Sequence, residues 1–560
     1  MDYRQKKLQH LLLANAAESR EADRLTIESF GITGDTLMEI AGNKAAEVIL
    51  SDLPAPCKVL FVCGKGNNAG DALVIARILM NEGYQVLLYP VFGTEGFSPD
   101  ARRNFDRLIH LATELQTPVE IWDEWHHDVS VKLIVDGIFG TGLERAVRSP
   151  VSDVIAAING SGCPVYAMDI PSGLNSDSGE VNGCSVKAYK TIQFGIQKAG
   201  CYLGDGPYFS GIRTLATLPF PVIYKKDIRL RLVDLSLDPL RLLAANTAYT
   251  VEPDDELAEG PADKLADKPA DKPADKPANK PADKPADGGE VSISRRKKQL
   301  HKYNNGVVHV IGGSTGITGA PVYAAKSAWS SGMGAVSLLY PSAWAAVMEA
   351  LAPSLIKKPV GDAGSHFFIE KDSDEVLRLL YEKRGVVVIG PGLGRHKQSM
   401  AFARRVISGY EGPMIIDADA LRCLHGYESI LSEKKQPGEV ILTPHSGELS
   451  HIASKNPGSD ASRLEITIDV GRRLGAVVLA KGNPVFVHSP ATSETIVTPY
   501  DTSGFSRAGF GDTLAGHIAA FMARTNDPAG SCENALVYGY NKLKEITSSG
   551  KTFPEPSDFS

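Results

Sequence analysis

CGKGNNAGDALVIARIL, residues Cys63–Leu79, closes the apolar run that begins at Cys57 and opens an amphipathic stretch, so it reads as a turn from strand into helix. Gly64, Gly66 and Ala69 keep the G-x-G-x-x-G/A spacing, in which small residues permit a tight turn and close approach to a pyrophosphate. That spacing alone is weak evidence. A dinucleotide dehydrogenase also needs an acid at the end of its second strand to hold the ribose hydroxyls. Here that strand ends LLYPVFG, Leu87–Gly93, with no acid. The loop instead carries Asn67, Asn68 and Asp71, whose oxygens and amides suit a hard cation or a polar ring better than bare phosphate. From this loop alone, side chains that merely turn the chain and cap the helix explain the residues equally well.

Two further strand ends tip that balance. VDGIFGTGL places Asp136 at the end of an apolar run, followed by the Gly140–Gly142 loop. MDIPSGLNSDSG places Asp169 at the next, followed by Pro171, Ser172 and Gly173. A lone strand-end aspartate is usually a cap; three such ends with adjacent glycine loops make a site. The same alternation of short apolar runs and amphipathic stretches continues through GVVHVIGG, GAVSLLYP, GVVVIGPG, GPMIIDADAL, GEVILTPH and GAVVLAKG. Apolar strands between helices mean parallel sheets covered on both faces, with ligands at the carboxyl ends of the strands. The expected class is α/β throughout.

The chain has 560 residues, too long for one ordinary core. Its 43% hydrophobic and 22% charged content fits a globular protein, and its net charge of -7 argues against a nucleic-acid binder. No apolar run reaches the length of a membrane span. Seven cysteines without CxxC pairs suggest reduced thiols and a cytoplasmic enzyme. From Pro261 to Asp287 a four-residue repeat of proline, alanine and paired charges interrupts the pattern. It can bury no core, and as polyproline II at ~3.1 Å per residue it would reach about 80 Å. The expected division is a first domain over 1–253, a linker over 254–291 and a second domain over 292–560, each domain folding independently.

Read in order, READRLTIESFGI, LMEIAG, GKGNNAGDALVIAR, VDGIFGTGLERAV, DIPSGLNSDSGEVNG and TIQFGIQKAG give the first half its resemblance. The chain resembles the bacterial fusion of NAD(P)H-hydrate epimerase with ADP/ATP-dependent NAD(P)H-hydrate dehydratase, over nearly its whole length except the linker. For the first half the resemblance implies a Rossmann-like epimerase that holds a potassium ion. Carried over, Asn68, Asp136 and Ser172 match the potassium ligands. Asn67, Asn68, Ala69, Gly70 and Asp71, then Gly140, Thr141, Gly142, Leu143, Glu144, Arg145 and Ala146, and Asp169, match positions that contact the substrate. Epimerising a carbon that bears a hydroxyl beside a ring nitrogen needs a bond there to break transiently, which a proton-shuttling carboxylate assists. Asp169 is the first choice for that role and Asp136 the second.

In the second half VVHVIGGSTGITGAPVYAAKSAWSSGMGAV, GPGLG, DADAL, TPHSGEL, AKGNP and RAGFGDTLAG resemble the ribokinase-like dehydratase. Gly390–Gly394 offers backbone amides to a phosphate, and Gly509–Asp512 opens a helix whose N-terminal amides favour an anion. Asp512 is read as the base that activates a hydroxyl toward the γ-phosphate of ATP. The resemblance implies that Ala320, Gly392, Gly394, His445 and Asp512 touch the hydrated cofactor, and that Lys481, Gly482, Asn483, Pro484, Val485 and Gly511 touch ADP or ATP, used with Mg2+. His445 has the rival reading of a structural loop histidine. The expected partners are these small molecules and further copies of the chain, with no nucleic acid or membrane.

Several positions depart from the family pattern: Ile40, Ala69, Ala72, Thr318, Val485, Arg507 and Ala508. Arg507 has two readings, a phosphate contact or an obstruction. One alternative makes the second half an inactive nucleotide-binding relic. Two rival classes are a sugar or vitamin kinase for the second half and a non-catalytic binding scaffold for the first. The motif sets GGS…GAP, DADAL and TPHSGE speak against the former, and the retained Asn68, Asp136, Asp169 and Ser172 against the latter.

Overall fold

The structure is a computed structural model describing residues 8–143, 145–244, 305–432, 434, 437–455 and 458–560. The expected boundaries at 253 and 292, and the repeat between them, lie outside the described residues. The first half contributes β1 (Leu12–Ala14), β2 (Lys58–Cys63), β3 (Gln85–Pro90), β4 (Glu120–Ile121) and β5 (Val131–Gly137). It continues with β6 (Val165–Met168), β7 (Lys190–Phe194), β8 (Gln197–Lys198), β9 (Ile212–Ala216) and β10 (Leu230–Leu232). Seven of these form a parallel sheet in the order β4-β3-β2-β5-β6-β7-β9. Strand order reverses direction between β2 and β5, so the crevice beyond their carboxyl ends is the natural ligand position. The loop Gly64–Gly66 and Asp136 both lie there.

Local chemistry explains these junctions. Helix α1 (Ala16–Glu28) begins with a capping box in which Asn15 and Glu18 exchange hydrogen bonds. Helix α2 (Asn67–Asn81), by contrast, starts at Gly66 with no side-chain cap, leaving its first amides open toward the crevice. Gly64 is required by space: a Cβ there would lie 1.9 Å from the Ile138 carbonyl oxygen. Ala72 sits inside α2 at ordinary helical geometry, so alanine costs nothing there, and Gly137 makes room for its methyl.

The second half supplies β11 (Val307–Ile311), β12 (Ala335–Pro341), β13 (Ile356–Val360), β14 (Val386–Ile389) and β15 (Met414–Ile416). It adds β16 (Val440–Leu442), β17 (Val477–Ala480), β18 (Phe486–Ser489) and β19 (Glu494–Val497). Their sheet runs β13-β12-β11-β14-β15-β16-β17-β18-β19 and then continues into β10-β1-β8 of the first half, twelve strands in all. Strands β10 and β19 pair in parallel through Leu230–Thr495, Arg231–Ile496 and Leu232–Val497.

Packing joins the two halves beyond this sheet. Leu13, Ile170, Tyr202 and Leu232 share one hydrophobic core with Leu339, Ile416, Phe486 and Val497. Arg231, only 1% exposed, sits in the middle of β10 and forms an ion pair with Glu533 in the helix Pro528–Ser548. The Glu533 carboxylate also accepts from the Asp234 amide. Such a charge is tolerated in a core only because its partner is there too. Among the described residues no helix is long and apolar enough to cross a membrane.

Candidate active sites

Asp136, at the end of β5, is completely buried. One carboxylate oxygen accepts the Ser172 hydroxyl at 2.6 Å and the Ile138 amide at 3.2 Å; the other accepts the Ser172 amide at 2.8 Å. The Phe139 amide donates to Ser172 Oγ at 2.8 Å, and Asn68 Nδ2 donates to the Phe139 carbonyl at 2.9 Å. Asn68, Asp136 and Ser172 thus converge from three strand ends on one oxygen-rich point. Burial pushes the Asp136 carboxyl up to about 6, against the pull of the hydrogen bonds from Ser172 and Ile138. Among the described residues no cation contributes to that balance.

Asp169 directly follows β6 and has φ of 67°, a left-handed backbone that a non-glycine residue seldom adopts. Its carboxylate accepts the Phe194 amide at 3.0 Å and pairs with the Lys198 ammonium. Lys198 is 2% exposed and also donates to the Phe194 carbonyl at 2.7 Å. Its backbone amide is fixed by Gln193 Oε1 at 2.6 Å. Asp71, in the first turns of α2, and Asp23 of α1 complete a set of three carboxylates acting on this one ammonium. Desolvation, then the charges of Asp169 and Asp23, push Asp71 well above the usual carboxylate range, with Lys198 opposing. The Gly140–Ala146 loop is tied to the turn after Asp169: Ser176 Oγ donates to the Thr141 carbonyl at 3.5 Å and Asn182 Nδ2 to the Leu143 carbonyl at 3.4 Å. Glu144 of that loop lies outside the described residues.

The second half encloses a cavity of about 870 Å³. Of the residues named from the sequence, Ala320, Gly392, His445, Lys481, Gly482, Asn483, Val485, Gly511 and Asp512 line it; Gly394 and Pro484 do not. Gly394 instead donates its amide to Asp419 Oδ2 at 3.0 Å, and the Pro484 carbonyl is turned to Arg463. Helix Phe510–Thr525 starts at Gly509, with φ of 97° and no side-chain cap, so the amides of Gly511 and Asp512 have no intrahelical acceptor. Lys481 Nζ donates to Asp417 Oδ1 at 2.7 Å, which the Thr443 hydroxyl also reaches at 2.7 Å. Burial alone would lower the Lys481 ammonium, but Asp417, Glu448 and Asp512 together hold it above its ordinary value. Burial, followed by the Asp417 carboxylate, raises Asp512 to about 7 against the pull of Lys481.

His445 caps the helix Ser446–Ala453: its Nδ1 accepts the Gly447 and Glu448 amides, and the Glu448 carboxylate accepts the His445 amide at 2.9 Å. With Nδ1 accepting, the proton belongs on Nε2, which lies 3.3 Å from Glu448 Oε1. The capping role and the cavity position coexist, so neither reading of this histidine displaces the other. Arg507 turns to the C-terminal segment, donating to the Pro554 carbonyl at 3.3 Å with its guanidinium 5.1 Å from the Phe553 ring centre. It also lines the cavity, together with Ala508. Nothing in the structure explains Ile40.

The family described as "YjeF-related protein N-terminus" matches residues 34–200, and the family described as "NAD(P)H-hydrate dehydratase" matches residues 308–540. The bifunctional NAD(P)H-hydrate repair enzyme of Salinibacter ruber is 30% identical, over 94% of this chain and 90% of that protein. This chain belongs to that family. The Escherichia coli member is 27% identical over 94% of this chain and 88% of its own length. A solved ADP/ATP-dependent NAD(P)H-hydrate dehydratase from Bacillus subtilis, crystallised with ATP and Mg2+, aligns with 46% of this chain and 88% of that one, at 20% identity and a TM-score of 0.37.

Membership sets the kinase and scaffold readings aside. It leaves four side chains that motif reading quoted but did not assign: Lys198 in TIQFGIQKAG, Asp417 in DADAL, Glu448 in TPHSGEL, and Asp23 in READRLTIESFGI. For Lys198, Asp417 and Glu448 the signal was a charged residue inside an apolar or small-residue run, where only a partner makes burial tolerable; Asp23, among Arg20, Glu21 and Arg24, carried no such signal.

Proposed function

We propose that the chain repairs hydrated NADH and NADPH, interconverting the R and S hydrates in its first half and dehydrating the S form with ADP or ATP in its second. The observation carrying this reading is the cavity in which Asp512, the open amides of a helix N-terminus and Lys481 face one another. A phosphoryl group fits the amides and the ammonium. Asp512, raised to about 7, accepts the proton of the hydroxyl being phosphorylated. The phosphorylated hydroxyl then leaves as phosphate, helped by the ring nitrogen lone pair, and loss of a proton from the adjacent ring carbon to water or the departing phosphate restores the ring double bond. Among the described residues no three His, Cys, Asp or Glu side chains gather in a metal-binding group, so Mg2+ belongs on the nucleotide phosphates.

In the first half Asp71, whose carboxyl is pushed upward by burial and by the charges of Asp169 and Asp23, is the group proposed to donate to the hydroxyl, which departs as water while the ring nitrogen lone pair stabilises the cationic carbon. Water returns to either face and gives its proton to Asp169, whose carboxylate Lys198 holds in place. A buried Asp136 carboxylate facing no cation of its own, beside Asn68 and Ser172, fits an alkali cation held by oxygen. Potassium at Asn68, Asp136 and Ser172 would supply fixed positive charge close to the hydroxyl. Asn67, Ala69, Gly70, Asp71 and the Gly140–Ala146 loop are the proposed substrate contacts. Seven unpaired cysteines accord with a cytoplasmic setting, and a homo-oligomer is the proposed assembly.

The test incubates the purified full chain with both hydrate epimers, with and without ADP or ATP, and separates the products by chromatography. Epimer exchange without nucleotide, and complete conversion to reduced cofactor with it, is the expected result. No exchange, or conversion indifferent to nucleotide, would remove the reading.

A further inference from the structure

The segment Lys481–Val485 belongs to the second half, yet much of its support reaches it from the first. Immediately after Lys198 the chain turns through Ala199–Gly206 and packs against the second half. Two hydrogen-bonded routes leave this turn. In one, the Gly204 amide donates to Asp460 Oδ2 at 3.1 Å. Asp460 Oδ1 accepts from Arg463 Nη2 at 3.0 Å, and the same nitrogen donates to the Pro484 carbonyl at 2.6 Å. In the other, Arg213 Nη1 donates to the Cys201 carbonyl at 3.1 Å while Nη2 donates to the Pro499 carbonyl at 3.3 Å. Pro499 follows Thr498, whose hydroxyl accepts the Val485 amide at 2.9 Å and whose own amide donates to the Val485 carbonyl at 3.2 Å.

Both routes end on the segment proposed to hold the adenine nucleotide. Arg463 is 5% exposed and lies 4.3 Å from the Phe486 ring centre, so it has no freedom to reorient toward solvent. Its Nη1 has no hydrogen-bond partner, and a Cβ at Gly482 would come within 2.5 Å of it. Only a glycine lets the segment rest on this guanidinium. Arg213, stacked 4.6 Å from the Tyr202 ring centre, is likewise fixed within the first half. The supporting groups are ordered by folding, not by nucleotide, and cost little entropy when nucleotide binds.

We propose that Arg213 and Asp460 are positioning residues for dehydration, through which the turn Ala199–Gly206 of the first half sets the nucleotide segment 481–485 of the second. This rests on the nucleotide role given above to Lys481–Val485. Because Lys198 immediately precedes this turn, the two sites share one structural support and are linked energetically in both directions.

The test measures backbone amide exchange in the wild-type full chain with and without ADP. ADP is expected to slow exchange at 481–485 and also at 199–206. Slowing at 481–485 alone would overturn the proposal and leave the nucleotide role standing; slowing at neither would remove the nucleotide role and the proposal with it. Steady-state dehydration by Arg213→Ala and Asp460→Ala adds a second reading. Each should raise KM for the nucleotide about three- to tenfold, the range of one lost hydrogen bond, with kcat and epimerisation within about twofold of wild type. Arg213→Lys, which can still reach one carbonyl, should recover part of that loss. An unchanged KM, or equal losses in both activities, would assign these residues to stability alone. Should neither alanine variant fold, the exchange measurement decides.

Discussion

Each half of the molecule surrounds one lysine with three carboxylates, and the two arrangements differ in which carboxylate the lysine holds. Lys198 pairs with Asp169 itself, so the candidate catalytic group of the first site is fixed beside a cation. Lys481 pairs with Asp417 instead. Asp512 is left to feel both burial and its acidic neighbours, and rises to about 7. Similar charge composition therefore yields a clamped carboxylate in one site and a base poised near neutrality in the other. What distinguishes them is pairing, and pairing is what substitutions can test.

The largest effect is expected at Asp512. Asp512→Asn keeps the shape of the helix start but cannot accept a proton, so dehydration should fall roughly 10²–10⁴-fold or more while nucleotide affinity changes little. A mutant matching the wild-type rate in a single-turnover assay would exclude the base role. At the clamped site, Asp169→Ala should lower epimerisation roughly 10²-fold or more, leaving nucleotide-dependent dehydration of the S epimer intact. If epimer exchange is unchanged, the proton role passes to Asp136.

Next in size is the tie between the halves. Arg231→Met leaves Glu533 buried without its partner and should destabilise the chain by about 3–5 kcal/mol, while adding Glu533→Leu should return much of that loss. Denaturant unfolding of the single and double variants checks this. Equal stability of the single mutant and wild type would mean that the shared sheet does not depend on the pair. The same reasoning predicts that neither half expressed alone reaches the stability it has in the full chain.

The smallest effect is a displacement of pH dependence. Dehydration should decline as pH falls through about 7, because Asp512 takes up a proton there. Removing the Asp417 charge with Asp417→Asn lowers the Asp512 value and frees the Lys481 charge to act in the same direction. The acidic limb of kcat/KM should then move to lower pH. A limb that stays in place would mean that Asp417 does not act on Asp512.

The strand ends were legible because their chemistry is local. Asp136, Asp169 and Ser172 each sit within a few residues of an apolar run and a glycine turn, and the fold gathers them where a parallel sheet must. Less legible were groups whose burial depends on distant partners. Strand β10 reads Leu-Arg-Leu, which suggests an exposed arginine; its partner Glu533 lies 302 positions away. Strand β1 is only three residues long and carries no alternation. Lys198 and Asp417 were visible as charges in apolar surroundings, but which carboxylate pairs with which lysine is decided by side-chain packing. The repeat drew attention to a boundary in sequence, whereas the sheet disregards it.

That shared sheet also has a consequence for how the chain is made. Synthesis delivers β10 long before β19, so the hydrogen-bonding edge at Leu230–Leu232 waits for nearly half of the polypeptide before its neighbour exists. An unprotected edge invites pairing with whatever strand is nearest, and a charge in its midst discourages such intruders. Arg231 is that charge. In the nascent protein it repels premature partners, and once the ribosome has released Glu533 the same guanidinium becomes the latch that closes the finished molecule.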